Sequence, residues 1–344
     1  MITLKRGTTR VQMMDPRAAE PYYRGTRFDR TGIILDLVAG GHRYVQPWQR
    51  RYDPWSHDAV SGPAEEFLPI EAGRPGPHPA TSILAALRLS NARHRACSAA
   101  VLISQDDTEA AGIQHVVQFE PVVGFPIVSK QPDAYFHPSR FAARTRTAFG
   151  VTQPQRSEDG RSQVQGLSAA PTTVTFRHIL DGFYDYEKTV DIPADGSLRL
   201  THALRNDSAQ PLDTYVYCHN FFILDGAPTG RTTRFEFPFR PVGDWRAPYD
   251  SVRLTERGIA FDRDLRPDET VFMGNLRPEL SESSGYRFLL HNLENGLRVE
   301  AACDRPMDYA VFWSNADVSC LEPYLPLHLN PGESACWTLD YRFR

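Results

Sequence analysis

The sequence predicts an all-β protein, a large antiparallel β-sandwich spanning residues 1–344 as a single domain. Three observations carry that expectation. Apolar and polar residues alternate with a period of two in one segment after another, which is the spacing of half-buried strands. The 27 prolines and 23 glycines are scattered between those segments rather than gathered in tracts, as suits many short strands joined by turns. Hydrophobic residues make up 41% and aromatic residues 11%, enough to fill a sizeable core.

Taken in order, the chain opens with a strand around Thr9–Met13 and a polar turn at Asp15-Pro16-Arg17. Residues 32–38 form an apolar run that reads as a buried strand, and Gly40-Gly41 reads as the tight hairpin beyond it. Residues 46–79 read as a loop. Trp48, Arg50, Arg51, Trp55, His57, Glu65 and Glu66 crowd into it, and long loops of such content tend to be functional. Glu65 and Glu66 are adjacent, so on a strand they would face opposite ways and at most one would serve a site. Thr81-Ser82 ahead of Ile83, Leu84 and Leu87 would cap the one helix. Strands resume at Ala100–Ser104, Ile113–Phe119 and Val122–Val128. Gln153–Gly166 reads as a polar excursion, and Thr172–Leu180 alternates again.

The stretch from Tyr184 to Phe222 organises the rest. Tyr186, Lys188, Val190 and Ile192 alternate with Asp185, Glu187, Thr189 and Asp191, and Pro193 to Gly196 supplies a turn. Leu198, Leu200, His202 and Leu204 alternate in the return strand. A third strand, Leu212–His219, puts Asp213, Tyr215, Tyr217 and His219 on one face. That face is aromatic and polar together, and it reads as the floor of a wet groove that stacks on sugars. Further on, Thr233–Phe239 alternates, Asp244–Asp268 reads as surface, and Tyr286–Leu290, Gly296–Ala301 and Met307–Trp313 read as strands. A turn at Pro331-Gly332-Glu333 leads to a closing strand through Trp337, Leu339, Tyr341 and Phe343.

Composition excludes several function classes. A net charge of −4 gives no reason to expect nucleic acid or an acidic membrane as partner. No apolar run approaches the roughly 20 residues that span a bilayer. The basic Met1–Arg6 segment has no apolar region behind it, so no signal peptide is expected. The five cysteines, Cys97, Cys218, Cys303, Cys320 and Cys336, are isolated and lack metal-ligand spacing, which suits free thiols in a reducing cytoplasm. There is no Gly-rich phosphate loop and no metal motif. Neither metal nor cofactor is expected. Arg24 and Arg27, beside Tyr22, Tyr23 and Phe28, suit either sugar hydroxyls or a phosphate, or else a surface cation–π pair.

Two segments resemble the aldose 1-epimerase (galactose mutarotase) superfamily. The first is Tyr186–Phe222, with Tyr217-Cys218-His219-Asn220-Phe221-Phe222 at its end. It is similar to the family's central region, where a strand ends in a His-x-Tyr-Phe type motif. The second is Ser319-Cys320-Leu321-Glu322-Pro323, followed by the Pro331-Gly332-Glu333 turn and the closing strand. It resembles the family's C-terminal Glu-Pro segment. The likeness covers residues 184–240 and 307–344 and is loose over the first 180. The family's earlier His-Gly-Gly segment is not found; His57, followed by Gly62 to Phe67, occupies about that region.

The resemblance implies a mutarotase-like β-sandwich acting as an aldose 1-epimerase-type isomerase on an aldose or a hexose phosphate. It implies His219 as catalytic acid and Glu322 as catalytic base; Arg27, Trp48, His57, Glu66, Tyr217 and Asn220 are the residues expected to hold the sugar. The chemistry agrees. Interconverting anomers means opening a hemiacetal, with a base on the anomeric hydroxyl and an acid on the ring oxygen, and the pair reverses roles on closure. An imidazole that titrates near neutrality and one carboxylate suffice. The alternative is a carbohydrate-binding β-sandwich or one of the polysaccharide lyase or hydrolase type. The sugar's identity and a homodimeric state stay open.

Overall fold

A computed structural model describes residues 1–16, 18, 21–23, 28–29, 31–48, 61–69, 101–103, 117–119, 147–152, 170–180, 184–209, 211–279 and 285–344. The expected helix near Thr81, the expected strand at Val122–Val128, the excursion at Gln153–Gly166, and Arg24, Arg27, Trp55 and His57 lie outside those residues.

The described residues form strands and turns, with no helix among them. In chain order the strands begin with β1 (Ile2–Arg6), β2 (Thr9–Met13), β3 (Ile34–Ala39), β4 (His42–Val45) and β5 (Ala64–Pro69). Next come β6 (Val101–Ile103), β7 (Val117–Phe119), β8 (Thr147–Thr152), β9 (Thr173–Leu180), β10 (Tyr184–Asp191), β11 (Ser197–Asn206) and β12 (Leu212–His219). They continue with β13 (Thr233–Glu236), β14 (Pro241–Trp245), β15 (Val252–Thr255), β16 (Gly258–Phe261) and β17 (Thr270–Pro278). The last five are β18 (Gly285–Asn292), β19 (Arg298–Pro306), β20 (Tyr309–Asn315), β21 (Ser319–Leu329) and β22 (Ser334–Phe343).

Two large sheets face each other. One has ten strands in the order β15-β16-β13-β18-β19-β22-β11-β10-β9-β8, and the other six in the order β14-β17-β20-β21-β12-β5. A four-stranded meander, β1-β2-β3-β4, and the pair β6-β7 complete the described sheets. The inward residues of both large sheets and of the meander share one core. Leu200, Trp337 and Phe288 come from the ten-stranded sheet, Val216, Phe312 and Leu325 from the six-stranded sheet, and Leu4 and Val11 from the meander. Period-two alternation explains the division: β10 and β11 each bury every second side chain.

Two expectations need correction. Asp244–Asp268 is not merely surface: β15 and β16 fall inside it, with Val252, Ile259, Ala260 and Phe261 buried. Four-residue strands are too short for alternation to stand out. The loop expected over 46–79 contains β5, which hydrogen-bonds along β12. The Glu322-Pro323 segment lies within β21, an 11-residue strand paired on both sides, with β20 and β12. β21 accommodates Pro323 and Pro326 because each removes only one N–H from the ladder.

Candidate active site

Strand register assembles the site on the face of the six-stranded sheet turned away from the shared core. The β12–β21 pairing runs antiparallel from Leu212↔Leu329 to Tyr217↔Tyr324, so His219, at the end of β12, arrives beside Glu322. On the other side of β12, β5 pairs Tyr217 with Glu66. Side chains two apart share a face. Tyr217, His219, Glu66, Cys320, Glu322 and Tyr324 therefore gather on one surface.

His219 is held between two carboxylates. Its Nε2 is 2.9 Å from Glu66 Oε2 and its Nδ1 is 2.8 Å from Glu322 Oε1. The contact to Glu66 is a hydrogen bond, and the close approach of Glu322 to Nδ1 is a charge pair when His219 is the imidazolium. The three groups are nearly sealed, with side-chain exposures of 3% for His219, 2% for Glu66 and 7% for Glu322. The Cys320 thiol donates to Glu322 Oε1 across 3.4 Å. Aromatic rings pack the imidazole: Phe28 edge-on at 4.8 Å, Tyr217 at 4.8 Å and Phe221 at 5.6 Å. Gly62 runs beside the end of β12, where a Cβ would lie 2.0 Å from the His219 carbonyl oxygen.

The tyrosine face is not a wet floor. Tyr217 stacks on Tyr324 at 3.9 Å, Tyr324 on Tyr309 at 4.4 Å, and Tyr215 packs edge-on against Tyr309 at 5.5 Å. These rings are buried, and they form an apolar cluster with Val311. Phenol rings dry one another by stacking, which the sequence pattern alone does not reveal. Trp48 is half-buried against Phe221 at 5.4 Å and Trp313 at 5.6 Å, so it flanks the site through Phe221. Asn220 is not brought to the cluster. Its amide donates to the Leu321 carbonyl at 2.7 Å and its Oδ1 accepts from the Tyr341 hydroxyl at 2.8 Å, which ties the two large sheets together.

Behind the site lies a second charged group, of which sequence reading singled out Glu65 but not its partners Lys188 and His202. Glu65 points the opposite way from Glu66, into the space between the sheets. Its carboxylate accepts from Lys188 Nζ at 2.5 Å and lies 2.9 Å from His202 Nε2. Lys188 and His202 are direct partners across β10 and β11, and His202 stacks on Trp337 at 4.7 Å. Burial pushes the Glu65 carboxyl up, but Lys188 and His202 outweigh it and hold it at about 2. Burial pushes the Asp29 carboxyl up to about 6, with Lys188 and the Thr31 hydrogen bonds opposing and Glu65 assisting. Burial lowers His202 below its ordinary value, against the pull of Glu65. A signal did exist in the sequence: Lys188 and His202 occupy the apolar face of alternating strands, where a charged group stays only if paired.

Solved structures share this fold at low identity. A galactose mutarotase-like protein from Clostridium acetobutylicum aligns with a TM-score of 0.51 at 10% identity, over 99% of this chain and 94% of that one. The Slr1438 protein from Synechocystis sp. PCC 6803 gives 0.50 at 12%, over 99% and 94%. A galactose mutarotase related enzyme from Lactobacillus acidophilus gives 0.49 at 12%, over 99% and 96%. No family model and no curated protein matches the chain. The fold is the galactose mutarotase-like β-sandwich that the sequence resemblance implied.

Proposed function

We propose that the chain interconverts the anomers of a sugar, as an isomerase of the aldose 1-epimerase type with His219 as acid and Glu322 as base. The observation that carries this reading is the 2.8 Å contact between His219 Nδ1 and Glu322 Oε1, two side chains 103 positions apart in the chain. The fold shared with a mutarotase-like protein supports it.

The ring oxygen and the anomeric hydroxyl are both bonded to C1, so an acid and a base that rest in contact need part only slightly to reach them. Glu322 takes the hydroxyl proton while the His219 imidazolium protonates the ring oxygen, and the C1–ring oxygen bond breaks to give the open aldehyde. Rotation about C1–C2 presents the other carbonyl face. The ring hydroxyl then returns its proton to His219 as it attacks C1, and Glu322 protonates the new anomeric oxygen, which restores both groups. Glu66 keeps its hold on Nε2 throughout and fixes the orientation of the ring that Nδ1 acts from. Trp48 and Phe221 supply an aromatic flank against which a pyranose can pack.

Polarimetry on freshly dissolved α-D-glucose and α-D-galactose tests the proposal. The protein should speed the decay of rotation, and Glu322→Gln should lose most of that effect. Equal decay with and without protein, on every aldose tried, would rule the reading out in favour of a binding or lyase-type β-sandwich.

A further inference from the structure

We propose that His219, Cys320 and Glu322 form a binding site for a thiophilic divalent cation of the zinc class. A ring nitrogen of His219, Sγ of Cys320 and a carboxylate oxygen of Glu322 all lie within 4.8 Å of one another, all three residues are buried, and Nδ1 is the nitrogen that faces Glu322. The sequence does not show the set, because His219 is far from the other two and Cys320 and Glu322 are spaced as i and i+2. Register supplies it: Cys320 and Glu322 share a face of β21, and β12 brings His219 alongside.

The donors fit such an ion in type and in spacing. Zinc takes imidazole nitrogen at about 2.0–2.1 Å, thiolate at about 2.3 Å and carboxylate oxygen at about 2.0–2.2 Å, usually with tetrahedral geometry. Tetrahedral donors at those lengths stand about 3.2–3.8 Å from each other. The His219–Glu322 contact of 2.8 Å and the Cys320–Glu322 contact of 3.4 Å come close to this before any adjustment. Three protein ligands leave the fourth position for water or a small ligand. The second imidazole nitrogen is also arranged as in metal sites. Nε2 of His219 lies 2.9 Å from Glu66 Oε2, and a carboxylate on the far nitrogen fixes the tautomer with Nδ1 toward the metal. On ligation the Cys320 thiol and the Nδ1–H of the His219 imidazolium both give their protons to solvent, and the thiolate replaces its S–H contact to Glu322 with a bond to the ion.

Cation binding and sugar chemistry would use the same two atoms, Nδ1 and a Glu322 oxygen, and so would exclude each other. That corollary rests on the mutarotase reading; the binding itself does not.

The test is a titration of the full chain with Co²⁺, followed by absorbance. One equivalent should bring up a near-ultraviolet sulfur-to-cobalt charge-transfer band and a visible tetrahedral d–d envelope, and Zn²⁺ should bleach both. Cys320→Ser should abolish the charge-transfer band. Glu66→Gln keeps all three ligands, so it should keep the band while weakening the affinity about 10–100-fold. Should Cys320→Ser fail to fold, Glu322→Gln serves instead: it retains the thiol and should weaken Co²⁺ binding and alter the d–d envelope. A wild-type chain without the band, or a band that survives Cys320→Ser and so arises from another thiol such as exposed Cys336, overturns the inference. A chain that binds Co²⁺ through Cys320 but leaves every aldose untouched upholds the cation site and sinks the mutarotase reading. A chain that speeds mutarotation and shows no band does the reverse.

Discussion

His219 concentrates the chemistry of the site in one side chain. Each imidazole nitrogen faces a carboxylate, 2.9 Å away on one side and 2.8 Å on the other, so ring orientation and proton inventory are both constrained. If His219 and Glu322 are acid and base, removing either proton-carrying group should lower kcat by about 10²–10⁴-fold. His219→Asn and Glu322→Gln are the informative variants, since neither removes much volume from a packed site. The double variant should be little worse than the worse single one, because the two groups act in one proton exchange. Mutarotation rates of the three variants, with urea midpoints as a folding control, check this. Additive losses would mean that the two side chains act independently.

At the scale of the element, β5 is the strand on which the site depends. It lies at the edge of the six-stranded sheet, and its successive carboxylates do different jobs: Glu66 faces His219, while Glu65 is fastened between the sheets by Lys188 and His202. Lys188→Met would leave Glu65 buried without its ammonium partner. Breaking one half of a buried ion pair costs about 3–5 kcal/mol, and the loss should appear as a lower urea midpoint. Met keeps most of the stem volume, so an unchanged midpoint would show that the pair contributes little. Gly62 is the second dependence. A Cβ there would lie 2.0 Å from the His219 carbonyl oxygen and 3.0 Å from the Phe221 nitrogen, both backbone atoms that cannot rotate aside. Gly62→Ala should cost about 1–3 kcal/mol, as overpacking does, and should lower kcat by shifting the end of β12. Wild-type stability and kcat in that variant would mean the close approach is not needed.

At the scale of the whole molecule, the buried carboxyls shape stability against pH. Asp29 is pushed up to about 6 from an ordinary 3.8, so the folded chain holds its proton more tightly than the unfolded chain does. Stability from this group therefore falls as pH rises from 3.8 through about 6, and the full penalty applies above that. Glu65 runs the other way. Held at about 2 against an ordinary 4.5, it contributes stability above 4.5 that is lost as pH falls toward 2. His202, lowered by burial, opposes Asp29 in the same window, because the unfolded chain takes up its proton first as pH falls below 6.5. The Asp29 contribution is isolated by Asp29→Asn, which should raise the urea midpoint more at about pH 7 than at about pH 5. An equal effect at the two pH values would mean that Asp29 does not titrate between them.

Local pattern alone determined the fold class and most of the strand positions in this protein. The strand Leu212–His219 stands in the structure with the bounds its alternation suggests, and Glu65 and Glu66 do face opposite ways, because side-chain direction in a strand is a property of neighbouring residues. His219 and Glu322 were legible as candidates only through the resemblance, since nothing local marks a His at a strand end or a Glu before Pro. Tertiary structure decided the rest. The tyrosines of β12 are dry because Tyr324 and Tyr309 from neighbouring strands stack on them, and Asn220 turns inward to Tyr341. Cys320 joins His219 and Glu322, and Lys188 with His202 neutralises Glu65, across separations of up to 137 positions. Such groupings follow from strand register and from the facing of two sheets, and both are set by long-range pairing that no window of sequence contains.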